Sequence, residues 1–184
     1  MGLESVFEQF PLLETERFSL RELKTEDAPQ IFSYFSQDSV TKYYNLESFT
    51  QEQQAVELIQ KFNQGFMEKR QIRWGAELKE TGTLVGTCGY HAIDAKHFKA
   101  EIGYELHPDY WGRGMMPEIT KEILRFGFEE MGLNRIEALY HPKNEQSWAV
   151  LKKSGFEYEG TLRKRWFDKG VFMDAAIASI IKIP

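Results

Sequence analysis

Apolar positions recur along the chain with two periods. Residues 18–23 alternate, with Phe18 and Leu20 on one face, and Ile72, Trp74, Ala76 and Leu78 alternate strictly, so both segments read as half-buried strands. Glu80-Thr81-Gly82 and the apolar run over 84–92 complete a hairpin, and a polar stretch over 94–99 leads into a further strand, Ala100-Glu101-Ile102-Gly103-Tyr104-Glu105-Leu106. Three more strands are predicted over 134–140, 156–167 and 171–181, the last two joined through Asp168-Lys169-Gly170. Helical spacing links Ala28, Ile31, Phe32 and Phe35, then Ala55, Ile59, Phe62 and Phe66, then Ile119, Ile123, Phe126 and Met131. A short helix over 144–154 stops at Gly155. The predicted order is strand, two helices, three strands, helix, strand, helix, two strands, an α/β chain.

Boundary signals refine this order. Thr25 is expected to cap the first helix, with Glu26 and Asp27 in its first turn, and Thr50-Gln51-Glu52-Gln53 reads as a capping box for the second. Pro117 suits the first turn of the third helix and Gly132 its C-terminal end. No repeat or low-complexity stretch appears, and a chain of 184 residues is expected to form one domain, 1–184, with its core over about 15–181.

Composition narrows the class. Hydrophobic residues make up 42% and charged residues 28%, too apolar for disorder and too evenly mixed for a membrane span. The net charge of −5 argues against nucleic acid and mildly favours a cationic partner. The single Cys88 cannot form an internal disulfide, and residues 1–6 lack both a basic leader and, with Val6 in place of Ser or Thr, a myristoylation signal; a cytoplasmic location is expected. The four histidines, His91, His97, His107 and His141, lack metal-ligand spacing, and no metal is expected.

The richest chemistry lies where the 100–106 strand runs into His107-Pro108-Asp109-Tyr110-Trp111-Gly112-Arg113-Gly114 and then a helix. Glycines let the backbone approach a ligand closely, and a helix start offers free N–H groups and a positive dipole end, a setting suited to a pyrophosphate. No Gly-Lys-Ser/Thr follows and no third glycine is present, so nucleotide triphosphates and NAD are disfavoured.

On these residues the chain resembles the GNAT superfamily of acetyl-CoA-dependent N-acetyltransferases, in particular its ribosomal-protein alanine and serine N-acetyltransferase branch. The phosphate-binding signature of that superfamily is matched by Trp111-Gly112-Arg113-Gly114-Met115-Met116, with Met116 where Gly or Ala is commoner and Pro117 removing one N–H. Further marks are Thr15-Glu16-Arg17-Phe18-Ser19-Leu20-Arg21, Asn144-Glu145-Gln146-Ser147 with Lys153-Ser154-Gly155-Phe156, and Gly170 with Asp174. The resemblance implies a GNAT fold with a mixed, mostly antiparallel sheet flanked by helices. It also implies direct acetyl transfer from acetyl-CoA to an amine in a ternary complex. Cosubstrate contacts are expected from Ile102, Tyr104, Leu106, Trp111, Gly112, Arg113, Gly114, Met115, Met116, Asn144 and Ser147.

Three tasks then need residues: proton removal from an ammonium, stabilisation of the thioester oxygen and protonation of the leaving thiolate. Glu101 is the first choice of base, and burial that raised its pKa by about two units would close about 2.7 kcal/mol of the gap to an α-amine. Glu105 shares its face by strand alternation, and both could equally be structural ion-pair partners. The position of the usual tyrosine acid, seven residues after Asn144, is Leu151, and the resemblance implies Ser147, where relatives carry a serine near the sulfur, as the acid, with helix capping as its alternative role. Asn144 either contacts the pantetheine arm or caps the helix. A glutamate seen on the penultimate strand of relatives is replaced here by Lys164-Arg165-Trp166. Tyr43 and Tyr44 either line the acceptor side or pack in the core. Cys88 reads as a small buried residue. The acceptor is expected to be an amine, foremost a protein N-terminal α-amine, with a small amine such as a polyamine or aminoglycoside, or a non-catalytic acyl-CoA-sensing role, as alternatives. No nucleic-acid or membrane partner is expected, and the chain is expected as a monomer or homodimer.

Overall fold

A computed structural model of the protein describes residues 2–44 and 46–182. Its elements in chain order are β1 (Leu13–Glu14), β2 (Phe18–Glu22), α1 (Ala28–Phe35), α2 (Asp38–Thr41), α3 (Glu52–Met67), β3 (Ile72–Leu78), β4 (Thr83–Asp94), β5 (Lys99–Leu106), α4 (Met115–Glu129), β6 (Arg135–Tyr140), α5 (Glu145–Lys153), β7 (Glu157–Asp168) and β8 (Val171–Ile181). The strands form one sheet in the order β1-β2-β3-β4-β5-β6-β8-β7. All neighbours are antiparallel except β5 and β6, and a parallel pair needs a long crossover, which α4 supplies.

Strand alternation sorts the side chains onto two faces. The register sets Ile72 beside Tyr90 and Tyr90 beside Ile102, and Trp74 beside Cys88 and Cys88 beside Tyr104. These residues pack with Ile119, Ile123 and Phe126 of α4 and Leu151 of α5 in the larger core. The opposite face carries Arg73, Thr87, Gly89, His91, Glu101, Gly103 and Glu105. On that side Leu23 and Leu84 join α1 and α3 in a second core that includes Ile31, Phe35, Ala55 and Ile59.

The expected elements are present, with local differences. The first strand is preceded by the short β1, and α2 adds a helical turn that sequence periodicity does not reveal. Thr25 does not cap α1: residues Thr25–Asp27 form a 3-10 turn, and the Asp27 carboxylate accepts from the Lys24 N–H at 2.8 Å. The capping box of α3 is shifted by one residue, to Gln51 and Gln54, because the Gln54 side-chain oxygen accepts from both the Thr50 and the Gln51 N–H. Helix α4 ends at Glu129, so Met131 is buried from the connection rather than from the helix. Turn residues Lys169 and Gly170 both have positive φ, the backbone of a tight two-residue hairpin.

The α4 contact with the sheet is close. The Tyr90 hydroxyl donates to the Ile123 carbonyl at 2.7 Å, and a Cβ on Gly127 would overlap that hydroxyl. Tyr90 is fully buried and cannot retreat. Gly127→Ala should therefore lower stability by about 1–3 kcal/mol, as overpacked cores do, measurable as a lower midpoint in chemical denaturation. A midpoint equal to that of the unsubstituted protein would show that α4 moves away freely.

Candidate active site

The β5–β6 pairing runs through Lys99↔Arg135, Ala100↔Ile136 and Glu101↔Glu137 and then stops, although β5 continues to Leu106 and β6 to Tyr140. The strands part, and a cleft of about 840 Å³ opens between them, within the range of ligand sites. One end is walled by Ile102, Tyr104, Leu106, Trp111, Gly112, Gly114, Met115, Met116, Asn144 and Ser147. The other end passes to the opposite face, to Tyr43, Tyr44, Phe62, Arg73, His91, Gly103 and Glu105. Arg113 and Glu101 are the two expected site residues that are not on its walls.

At the first end, Gly112 and Gly114 have φ of +73° and +69°, a backbone that side chains strain, and Gly114 is the N-cap of α4. The first turn of α4 leaves its N–H groups free for an anion. Met116 is buried in the larger core, so its side chain turns inward and leaves the ligand side to backbone. This explains why a large residue is accommodated there. The turn is held from behind. Arg17 donates to the carbonyls of Arg113 and Gly114 at 3.2 and 3.1 Å and to Glu118 at 2.6 Å, and Glu118 also accepts from the Thr15 hydroxyl and the Arg17 N–H. The Thr15-to-Arg17 segment thus draws the carbonyls of the turn away from the ligand side. The Arg113 side chain lies over the Tyr110 ring, 5.7 Å from its centroid.

Asn144 is the cap of α5: its side chain accepts from the Ser147 N–H at 3.1 Å, while it also lines the cleft. Ser147 therefore does not cap the helix with its own hydroxyl. That hydroxyl meets the hydroxyl of Tyr104 at 3.1 Å, and Tyr104 also donates to the Ser147 carbonyl. A tyrosine thus reaches α5 from β5 although Leu151 of α5 is buried core. Burial pushes the Tyr104 hydroxyl pKa up, so it keeps its proton at neutral pH.

The second end holds a buried polar network. Glu105 accepts from Arg73 and Thr87 and from the Tyr44 hydroxyl at 2.5 Å, and Tyr44 also donates to the Tyr104 carbonyl at 3.0 Å. Arg73 lies over the Phe62 ring, 5.1 Å from its centroid. Tyr44 is thus partly buried against the second core and also at the cleft, and Tyr43 stacks on His141 at 4.9 Å. Burial does not raise Glu101 as the sequence reading expects: its His91 partner, with Arg165 and Lys99 nearby, holds its carboxyl below the usual value. Burial pushes the Cys88 thiol up to about 12, which removes any thiolate nucleophile at neutral pH. Among the described residues, no group of three or more His, Cys, Asp or Glu is placed to hold a metal, and no helix is long and apolar enough to cross a membrane.

A sheet split beside a glycine-capped helix start, with hydroxyls at the split, is a site for an elongated ligand with an anionic end. The acetyltransferase (GNAT) domain model matches residues 17–157. The chain is 44% identical over 173 residues to the uncharacterized N-acetyltransferase YoaA of Bacillus subtilis, covering 94% of this chain and 98% of that protein. An acetyltransferase (GNAT family) structure from Bacillus anthracis superposes with a TM-score of 0.83 at 27% identity, covering 93% and 98% of the two chains. A ribosomal-protein-S5-alanine acetyltransferase from Vibrio fischeri does so at 0.79 and 25%, covering 93% and 96%. The protein belongs to the GNAT acetyltransferase family and is an acetyl-CoA-dependent N-acetyltransferase.

The Arg17 buttress yields a prediction. Arg17→Ala frees the two turn carbonyls and should weaken coenzyme A binding about tenfold, a loss of about 1.4 kcal/mol, measured by isothermal titration. An unchanged affinity would reduce Arg17 to a surface ion pair.

Proposed function

We propose that the protein acetylates the N-terminal α-amine of a protein or peptide. The observation that carries this reading is the charge of the cleft: its Lys, Arg, Asp and Glu residues are Lys61, Arg73, Lys153, Glu105 and Asp168, and Glu105 is already paired with Arg73. A polyamine needs several free carboxylates. This lining suits a single ammonium carried on a neutral or acidic chain. The net charge of −5 therefore does not concentrate at the acceptor end, and the cationic partner suggested by composition narrows to one amino group. The Vibrio fischeri relative, by its name, acts on a ribosomal-protein alanine, which agrees with this acceptor class.

The parts take the following roles. The Gly112–Gly114 turn and the start of α4 hold the pyrophosphate, and the parted edges of β5 and β6 take the pantetheine arm, with Ile102, Tyr104 and Leu106 along one side. The acceptor enters past Tyr43, Tyr44 and Phe62. Tyr104 and Ser147 form the proton-donating pair for the departing sulfur. Glu101 supplies negative charge beside the acceptor end.

Two measurements test this. A panel of peptides with free N-terminal Ala or Ser, spermidine and an aminoglycoside, incubated with labelled acetyl-CoA and read by mass spectrometry, should show label on peptide α-amines. The expected kcat/KM for the best peptide exceeds that for spermidine by more than about tenfold, at least 1.4 kcal/mol of discrimination. Preference for the polyamine overturns the acceptor assignment. Tyr104→Phe should lower kcat about 10²-fold with little change in KM, the size of a lost proton donor; a normal kcat would leave Tyr104 only a packing role.

A further inference from the structure

At the acceptor end Arg73 and His91 close over the bare backbone of Gly103. A Cβ built there would lie 2.9 Å from Arg73 Nη1, 3.4 Å from His91 Cε1 and 3.6 Å from His91 Nδ1, so these two side chains take up the room that a side chain at 103 would need. His91 sits directly across from Glu101 in the β4–β5 ladder, with its Nε2 3.4 Å from Glu101 Oε2. His91 and Gly103 line the cleft, and Glu101 does not. The His91 side chain keeps 47% of its surface accessible against 20% for Glu101. In a neutral imidazole the nitrogen facing a carboxylate carries the proton, and the other presents a lone pair. Here the lone pair belongs to Nδ1, on the Gly103 side of the ring, where both residues line the cleft.

We propose that His91 is the catalytic base of this enzyme and Glu101 the positioning residue that fixes its tautomer. The proposal rests on the acetyltransferase reading of the cleft. An imidazole also suits the task better than a carboxylate, because its ordinary pKa lies about 1.3 units below that of an α-amine rather than about 3.5. The acceptor ammonium passes one proton to His91 Nδ1, which releases it to solvent. The freed nitrogen lone pair forms the C–N bond at the thioester carbon, and the C–S bond breaks with its electron pair going to sulfur. Nitrogen gives up its second proton as the amide forms, and the sulfur takes one up. The charged groups around His91 are Glu101 on β5, Arg73 on β3, and Arg165 and Lys99, which act on Glu101.

The test uses the full-length enzyme with the best acceptor from the peptide and amine panel. His91→Gln should lower kcat at least about 10²-fold, the usual contribution of a positioned base, with KM for the acceptor little changed. Glu101→Gln, which leaves the imidazole unoriented, should lower kcat about tenfold with KM for the acceptor little changed. Added imidazole should restore part of the activity of His91→Ala and none of that of Tyr104→Phe. Heteronuclear NMR of the free protein gives a readout that needs no acceptor: the Nε2–H tautomer of His91 is expected in the unsubstituted enzyme and a mixed population in Glu101→Gln. A kcat for His91→Gln within about threefold of the original, or an Nδ1–H tautomer, overturns the assignment. An unsubstituted enzyme that acetylates nothing in the panel overturns the acceptor reading instead, and the tautomer measurement then still decides the His91–Glu101 arrangement.

Discussion

The parallel ladder between β5 and β6 ends at Glu101↔Glu137 while both strands run on, and most of what distinguishes this protein follows from that interruption. A sheet that opens in its middle exposes backbone groups that cannot remain buried without partners. Two of them are met by side chains brought in from elsewhere: Tyr44 donates to the Tyr104 carbonyl, and the Trp111 indole donates to the Leu106 carbonyl at 2.7 Å. Both carbonyls lie on the β5 edge of the opening. The crossover helix that a parallel pair requires begins beside it, so the anion-binding helix start and the gap between the strands come from one topological requirement.

Electrostatics are handled locally rather than by overall charge. An anionic cosubstrate meets a protein of net negative charge, and in the proposed site the attraction comes from N–H groups of a turn whose carbonyls are held by Arg17. At the other end, Arg73 and Glu105 cancel one another inside the fold. An unpaired buried ion would be costly, and pairing leaves the chamber nearly neutral. Discrimination there depends on shape and on a few directed hydrogen bonds.

Much of this was legible in the residues. Alternation in 72–78 and 100–106 and the 3.6 period in α3 and α4 survive in the structure because both faces of the sheet are covered and each helix buries one stripe. The glycine turn was visible because positive φ leaves a mark in composition. The helix starts were placed within a residue or two, and they slipped where a glutamine or aspartate side chain took over the cap. The buried network was not legible: Arg73 reaches partners 14 and 32 residues away, and Tyr44 one 61 residues away. Strand parity did put Glu101 and Glu105 on one face, but only the register shows that one faces His91 and the other Arg73. His91 was weighed only as a metal ligand, since nothing near it in sequence announces its cross-strand carboxylate.

Gly103 has a further consequence. The cleft passes through the sheet, with one end on the α4–α5 side and the other on the α1–α3 side, the ends proposed for carrier and amine. Each side is built from different segments of chain, so changes to the helical cover can alter which amine enters while the carrier side stays intact. Residue 103 lies in the wall of that passage, and its lack of a side chain makes room for Arg73 and His91 there. Lineages sharing this architecture can exchange customers by rebuilding one antechamber.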